Sequence, residues 1–353
     1  MTSPANTILV TGANGLIGRW LVPALLNQGY EVIAAMRKAN QREQAFRHFV
    51  QRQATRQHEE TDVQTRLQVV NFSLEQVADL FQDRTRNDSI IAIHHLAAAF
   101  DWGLERNNTH RVNVDASETL LQCAAALPHL QRFIWVGGYR VANKPDVSEA
   151  QLYKTLGAYE ASKLIAHERM KQRATALNLP WTALNPSTVI GDSRTGETTQ
   201  FIGAAEIIQQ LSTGNMPAIP GNRTTFLPLV HVDFVAEFAA RLLQHDQSIN
   251  QEYWLLDENT PNFAELLQRL ADHMGVQAPR LFAPLWLLKR VPQCLLPSPR
   301  ETLSFLSSDR YDVTTTRQLA QEMGIADRLP LNNVEGWVDH LIAQQFGDNP
   351  AMA

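Results

Sequence analysis

Two residues at helical spacing carry the first chemical signal: Tyr159 and Lys163 in AYEASK, residues 158–163. An i, i+4 pair lies on one face of a helix. A tyrosine at its ordinary pKa of roughly 10 is a poor acid or base near neutrality. A neighbouring ammonium lowers that value by stabilising the phenolate. Such a pair can give a proton to a carbonyl oxygen as hydride arrives, or remove it in reverse. Y-x-x-x-K is common by chance, so its weight depends on what precedes it. TGANGLIG, residues 11–18, is the strongest motif in the chain. Gly12 permits a tight turn, Gly15 lets the backbone approach a pyrophosphate, and Gly18 lets helix and strand pack closely. Asn14, Leu16 and Ile17 complete the turn and open a helix whose free N–H groups and partial positive charge suit phosphates. Further on, Arg37 and Lys38 stand where NAD binders place a carboxylate on the ribose. A guanidinium pairs with a 2′-phosphate instead, so NADP(H) is the expected cofactor. Arg42 and Arg47 on the following helix read as solvent-facing.

These groups need a scaffold, and the chain alternates strand and helix as such a scaffold must. TILVT (7–11), YEVIAAM (30–36), RLQVV (66–70), SIIAIHH (89–95) and RFIWV (132–136) read as strands. Between them lie helical segments at 16–29, 39–60 and 109–127. The expected fold class is α/β: a doubly wound parallel Rossmann sheet with a smaller, mostly helical C-terminal substrate domain. Residues 1–185 are assigned to the NADP-binding domain and 186–353 to the substrate-binding cap, with 226–245 packing back on the first domain. PLVHVDFVAEFAARLL (228–243) reads as a strand-to-helix unit, and PNFAELLQRLADHMG (261–275) as a cap helix.

Composition limits the remaining classes. With 44% hydrophobic and 19% charged residues, the 353-residue chain falls among soluble globular domains. A net charge of −5 argues against a broad nucleic-acid surface. Cys123 and Cys294 form no C-x-x-C pair, so neither a disulfide framework nor a cysteine zinc site is supported. His94 and His95 are adjacent on a strand and point to opposite faces, which defeats shared metal ligation; no metal is expected. No run of about 20 apolar residues predicts a membrane span, and the N-terminus lacks a signal-peptide pattern, so a cytoplasmic location is expected. LFAPLWLLKRVPQCLLP (281–297) is conspicuously apolar. It is read as a helix packing on the cap and broken by Pro292, in preference to membrane contact; the mouth of a lipophilic pocket is the other option. Phe100, Trp102 and Tyr139 are pocket-wall candidates, though aromatics near a sheet edge are commonly core.

Taken in order, TGANGLIG, HHLAA (94–98), NVDAS (113–117), AYEASK, NPSTVIGDSRTGE (185–197) and PLVHVDFVA (228–236) resemble the extended short-chain dehydrogenase/reductase family over nearly the whole chain. The branch it most looks like holds the fatty acyl-CoA and thioester reductases, with sugar epimerases more distant. The resemblance implies that Gly12, Gly15, Gly18 and Arg37 hold the cofactor. It places Leu96, Ala97 and Ala98 along the nicotinamide-side edge of the fourth strand, with Pro186 and Thr188 nearby. Tyr159 is then the general acid/base, and Lys163 binds the nicotinamide ribose and tunes Tyr159. Asn113 ties the fourth strand to its following helix. A small-molecule substrate and a helix-paired homodimer follow from the resemblance alone. Two departures from the family are Asn71, where relatives carry an adenine-binding aspartate, and Asn185, which replaces a frequent arginine before proline.

A third departure is WVGGYR, residues 135–140. Relatives carry Ser-Ser or Ser-Thr there, and the serine and the substrate-binding hydroxyl fall at Gly137 and Gly138. Losing such a donor costs about 2.7–4 kcal/mol of barrier. Three readings stay open. The Tyr139 hydroxyl or the Gly-Gly N–H groups replace it; the substrate brings its own orienting group into the space; or catalysis has faded, leaving an NADPH-binding regulator. The expected function is NADP(H)-dependent reduction of a carbonyl, or oxidation of an alcohol, on a lipophilic substrate. The alternative enzyme is an epimerase or dehydratase that uses the cofactor transiently.

Overall fold

Seven parallel strands build the central sheet: β1 (Thr7–Thr11), β2 (Glu31–Met36), β3 (Leu67–Asn71), β4 (Ile90–His95), β5 (Arg132–Val136), β6 (Trp181–Pro186) and a last strand, Gln251–Leu255. Their spatial order is β3-β2-β1-β4-β5-β6 followed by Gln251–Leu255. The chain leaves β1 in one direction to β2 and β3, then returns to the other side for β4. That reversal is the topological switch point at which doubly wound sheets bind ligands. The strands are short apolar runs, as expected where helices cover both faces. Register brings Thr11 opposite His95, and His95 opposite Trp135, so β1, β4 and β5 end together. The computed structural model describes residues 6–56, 61–99, 105–143, 145–288, 290–292 and 300–347.

Helices α1 (Leu16–Asn27), α2 (Ala39–Thr55), α3 (Ala116–Ala124) and α4 (Ala158–Ala176) flank this sheet. One core layer joins Leu9, Ile93, Phe133 and Trp135 of the sheet to Leu120 and Leu121 of α3 and Met170 of α4. The single helix expected over 109–127 is broken up. A π-helical turn, Arg111–Asp115, stands between the helix Arg106–His110 and α3. Such bulges re-aim side chains, and this one carries Asn113.

The chain forms two compact units. The first holds residues 1–186, 235–255 and 319–323; the second holds 187–234, 256–318 and 324–353. In the second unit Thr188–Ile190 pairs in parallel with Leu229–His231, and Ile219–Pro220 pairs with Phe282–Ala283. Its core gathers Phe263, Leu266, Leu267 and Leu270 of the helix Phe263–Met274 with Trp337, Val338 and Leu341 of the helix Val334–Ala343. Gly275, in the left-handed region, ends the first of these helices. Of the helix expected to pack across 281–297, the described residues hold one turn, with Leu285 against the second unit's core. Leu285–Leu288 is a single helical turn on which Trp286 is 62% exposed, and Leu281 is 72% exposed. A Pro on either side, at 284 and 292, leaves too few residues for a packed amphipathic face. Residues 293–297, Cys294 among them, lie outside the described residues. Among the described residues no helix is long and apolar enough to cross a membrane.

Candidate active site

The turn between β1 and α1 has the shape its glycines require. Gly12 has φ +72°, and a Cβ there would stand 2.7 Å from the Ala97 nitrogen in the segment after β4. A Cβ on Gly18 would stand 2.5 Å from the Ala13 carbonyl oxygen, so the helix meets the turn backbone to backbone. Gly15 caps α1 with no side-chain bond. The first-turn N–H groups of Leu16 and Ile17 are therefore left for an anion at the positive end of a 12-residue helix. Asn14 accepts a hydrogen bond from Arg19 Nε at 3.1 Å, which ties the turn to α1. These features fit the pyrophosphate of a dinucleotide.

At the end of β2, Arg37 and Lys38 are exposed, and no ion pair holds either among the described residues. Lys38 has φ +55° and caps α2, whose first turn carries no acidic residue. Asn71 does not stand idle at the neighbouring strand end: its Oδ1 accepts the Ala39 N–H at 3.3 Å. It fixes the start of α2 beside the two cations, a role that its place in the sequence did not disclose.

Below the switch point the polar side chains are closely paired. His95 bonds Thr11 Oγ1 at 2.8 Å and Ser117 Oγ at 2.9 Å. Burial, with Lys163 nearby, pushes its pKa down to about 3, so the ring is neutral. His94, on the opposite face, is fully buried, and neither ring nitrogen has a partner among the described residues. No group of three or more His, Cys, Asp or Glu among the described residues could hold a metal ion. Asn113 accepts the Ala99 N–H at 2.7 Å and donates to Ser162 Oγ at 3.0 Å. It links the segment Leu96–Ala99 to α4, the helix of Tyr159 and Lys163, and not only to its own helix.

Tyr159 and Lys163 lie in the first turns of α4, which starts after Gly157 in a φ +83° conformation. Lys163 Nζ donates to the Val136 carbonyl at 2.8 Å, at the end of β5. Burial pushes Lys163 down to about 8, which makes its ammonium a readier proton exchanger than a surface lysine. Tyr159 moves the other way. Burial first, then the Glu160 carboxylate, push its pKa above the usual value, and Lys163 is not among the causes. The effect of Lys163 expected on Tyr159 is thus not seen in the chain without cofactor, where the ammonium bonds Val136 O. Glu160 itself pairs with Arg140 of WVGGYR.

The two glycines at the end of β5 differ from one another. Gly137 donates its N–H to Leu184 O at 2.8 Å. A Cβ on Gly137 would stand 2.3 Å from Asn185 Oδ1 and 3.0 Å from His167 Nδ1, whereas a Cβ on Gly138 would meet nothing within 4 Å. The two departures at 137 and 185 are thus one exchange: the Asn185 side chain fills the space that a side chain at 137 would need. Asn185 is fully buried, with no hydrogen-bond partner for either polar atom among the described residues. Beside it, Trp135 Nε1 donates to His167 Nδ1 at 3.2 Å. Indole can only donate, so Nδ1 accepts there and Nε2–H goes to Glu252 Oε2 at 3.0 Å. Burial would raise Glu252, but hydrogen bonds from His167 and Lys171 hold it at about 2. Lys163, Gly137, His167, His95 and Asn113 surround a cavity of about 20 Å³, room for one water.

Tyr139, considered above as a pocket wall, is only 4% exposed, and its carbonyl accepts Trp254 Nε1 at 2.9 Å. Pro186 closes β6 and is buried, while Thr188 opens the small sheet of the second unit, where its N–H bonds Pro228 O at 3.2 Å. Phe100 and Trp102 lie outside the described residues. The residues that sequence reasoning missed are His167, Lys171 and Glu252. No local motif marks them, because Glu252 lies 85 positions from His167 and reaches it only through the last strand of the sheet.

Comparison with known proteins agrees with this geometry. A putative dihydroflavonol 4-reductase of Synechocystis is 26% identical over 298 residues, covering 80% of this chain and 77% of that protein. An NRPS-like oxidoreductase of Fusarium equiseti is 29% identical over 200 residues, 53% of this chain, which spans 18% of that larger protein. Among solved structures, the terminal R domain from the myxalamid PKS-NRPS biosynthetic pathway has a TM-score of 0.73 at 19% identity, over 99% of this chain and 94% of that one. UDP-glucuronic acid 4-epimerase from Bacillus cereus in complex with NAD has a TM-score of 0.61 at 20% identity, over 95% of this chain and 99% of that one. At such identities the structural likeness shows the fold. The sequence model of one family matches residues 8–255, which takes in the glycine turn, Tyr159, Lys163 and every strand of the main sheet but the first residue of β1. The chain belongs to the NAD dependent epimerase/dehydratase family.

Proposed function

We propose that the chain is an NADP(H)-dependent oxidoreductase that reduces a carbonyl on a lipophilic substrate. The observation that carries this reading is the docking of Lys163 Nζ on Val136 O, which sets Tyr159 and Lys163 of α4 against the end of β5. Bound NADPH would supply the hydride. Tyr159 gives its proton to the carbonyl oxygen as the carbon–oxygen double bond is reduced, and an alcohol results. Its raised pKa keeps it protonated, and proton transfer would rely on Lys163 stabilising the tyrosinate as it forms. Lys163 spends one N–H on Val136 and keeps its other donors for the ribose and the developing tyrosinate. Gly12, Asn14, Gly15, Leu16, Ile17 and Gly18 would hold the pyrophosphate, and Leu96, Ala97 and Ala98 would flank the nicotinamide. Arg37 and Lys38, exposed and in no ion pair among the described residues, favour a 2′-phosphate over a bare ribose. The apolar run of sequence at 281–297 is what favours a lipophilic substrate. The names of the relatives, a dihydroflavonol reductase and an NRPS-like oxidoreductase, point to the same class of reaction.

Fluorescence titration with NADPH and NADH tests the cofactor. We expect tighter NADPH binding, lost by roughly ten- to a hundredfold in Arg37→Ala with little change for NADH. NADPH oxidation with decanal and cinnamaldehyde tests the reaction, and Tyr159→Phe should lower kcat by roughly 10²–10⁴. Tighter NADH binding would overturn the Arg37 assignment, and undiminished turnover in Tyr159→Phe would overturn the assigned acid. Substrate conversion without net NADPH consumption would instead indicate an epimerase or dehydratase.

A further inference from the structure

We propose that the main-chain N–H of Gly138 is the donor that holds the substrate oxygen, in place of the hydroxyl that relatives carry at this point. This rests on the reading of Tyr159 and Lys163 given above. The polar groups at the end of β5 can be accounted for one by one. Val136 O is taken by Lys163 Nζ at 2.8 Å. The Gly137 N–H is spent on Leu184 O at 2.8 Å, so it has nothing left for a ligand. The next amide, Gly138 N–H, meets no acceptor among the described residues, and the residue is partly exposed. Tyr139 is packed away at 4% exposure, which leaves its hydroxyl the weaker candidate.

The same surroundings hold this amide still. Gly137 is wedged against Asn185 and His167. Gly138 O accepts the Val141 N–H at 3.1 Å, and Tyr139 O accepts Trp254 Nε1 at 2.9 Å. A donor fixed before the reaction needs no reorganisation as negative charge grows on the oxygen, which is where such donors act most strongly. In the reaction the amide transfers no proton. Hydride goes to the carbonyl carbon, the Tyr159 proton goes to the oxygen, and the Gly138 N–H holds that oxygen throughout. Space within 4 Å of a would-be Cβ on Gly138 is open, so a methyl there meets no neighbour.

The test replaces Gly138 with glycolic acid, which exchanges the amide N–H for an ester oxygen and leaves the shape unaltered. Gly138→Ala keeps the N–H and serves as the reference. With decanal and NADPH, the ester variant should show a kcat roughly a hundred- to a thousandfold below that of Gly138→Ala. Its NADPH affinity, read by fluorescence, should match the wild type, which shows that the fold and the cofactor site persist. Gly138→Ser should bring no large gain. Turnover of the ester variant within about tenfold of Gly138→Ala would overturn the proposal, as would a gain of about tenfold or more in Gly138→Ser. Failure of the underlying reading shows elsewhere: the wild type itself would oxidise no NADPH with decanal or cinnamaldehyde, and the proposal would fall with it.

Discussion

A single methyl group at Gly137 should destabilise the protein, and removing the Asn185 side chain should restore it. The added Cβ would stand 2.3 Å from Asn185 Oδ1, where ordinary van der Waals contact begins at about 3.4 Å. The strand cannot retreat, because the Gly137 N–H bonds Leu184 O at 2.8 Å and Lys163 bonds Val136 O at 2.8 Å. Asn185 cannot easily move either; it is fully buried on β6, between β5 and the last strand. Overpacking of this kind costs about 1–3 kcal/mol. Asn185→Ala alone removes a buried amide whose polar atoms have no partner. The desolvation it relieves offsets much of the packing it loses, so a net change within about 1 kcal/mol is expected. The double variant should therefore recover about 1–3 kcal/mol relative to the sum of the singles. Urea unfolding of the four proteins measures this. Gly138→Ala is the control: it meets open space and has no positive φ, so it should be neutral or gain about 0.4–1 kcal/mol. If Gly137→Ala is as stable as the wild type, or if its loss persists in full beside Asn185→Ala, the coupling argument is wrong.

Three further outcomes can be checked. Lys163 is held at about 8, below its usual 10.5, so between those values the unfolded chain binds the extra proton and wild-type stability rises with pH. Lys163→Met should lack that rise in urea unfolding from neutral to alkaline pH; parallel curves would refute it. Glu160→Gln removes the second cause that raises Tyr159, so the alkaline limb of kcat/KM should move to lower pH, and an unmoved limb would show that Glu160 does not act on Tyr159. His94 is kept neutral by burial, with its pKa at about 3, so wild-type stability should fall as pH drops from about 6.5 towards 3. His94→Leu should gain about 1 kcal/mol at neutral pH and reduce the acid-side slope by up to about 1.4 kcal/mol per pH unit; an unchanged slope would mean that His94 is not titrating.

The parts of the fold that were legible in the sequence are those written in local patterns. β1 and β5 have the bounds expected from their apolar runs, and the glycine turn and the Tyr159–Lys163 spacing lie within single elements. Strand Gln251–Leu255 was not legible. It reads Gln-Glu-Tyr-Trp-Leu, with too little alternation to signal a sheet strand by itself, and it is one only because β6 offers it an edge. The segment 281–297 misled for the opposite reason: apolar composition suggested a packed helix, while its described residues hold one short turn with Trp286 and Leu287 exposed.

By itself, the sequence determined the α/β class, the β1–α1 glycine turn and the helical pairing of Tyr159 with Lys163. All three depend on spacings of a few residues, which backbone geometry converts directly into position. Tertiary structure alone decided the electrostatics and the meaning of the glycines. Tyr159 is less acidic than its neighbour at i+4 suggests, because burial first and then Glu160 act on the phenol. Gly137 answers to Asn185, 48 positions away, and Gly138 answers to open space. Two identical letters side by side carry no sign of that difference, because the contacts that separate them form only when β5 and β6 lie next to each other.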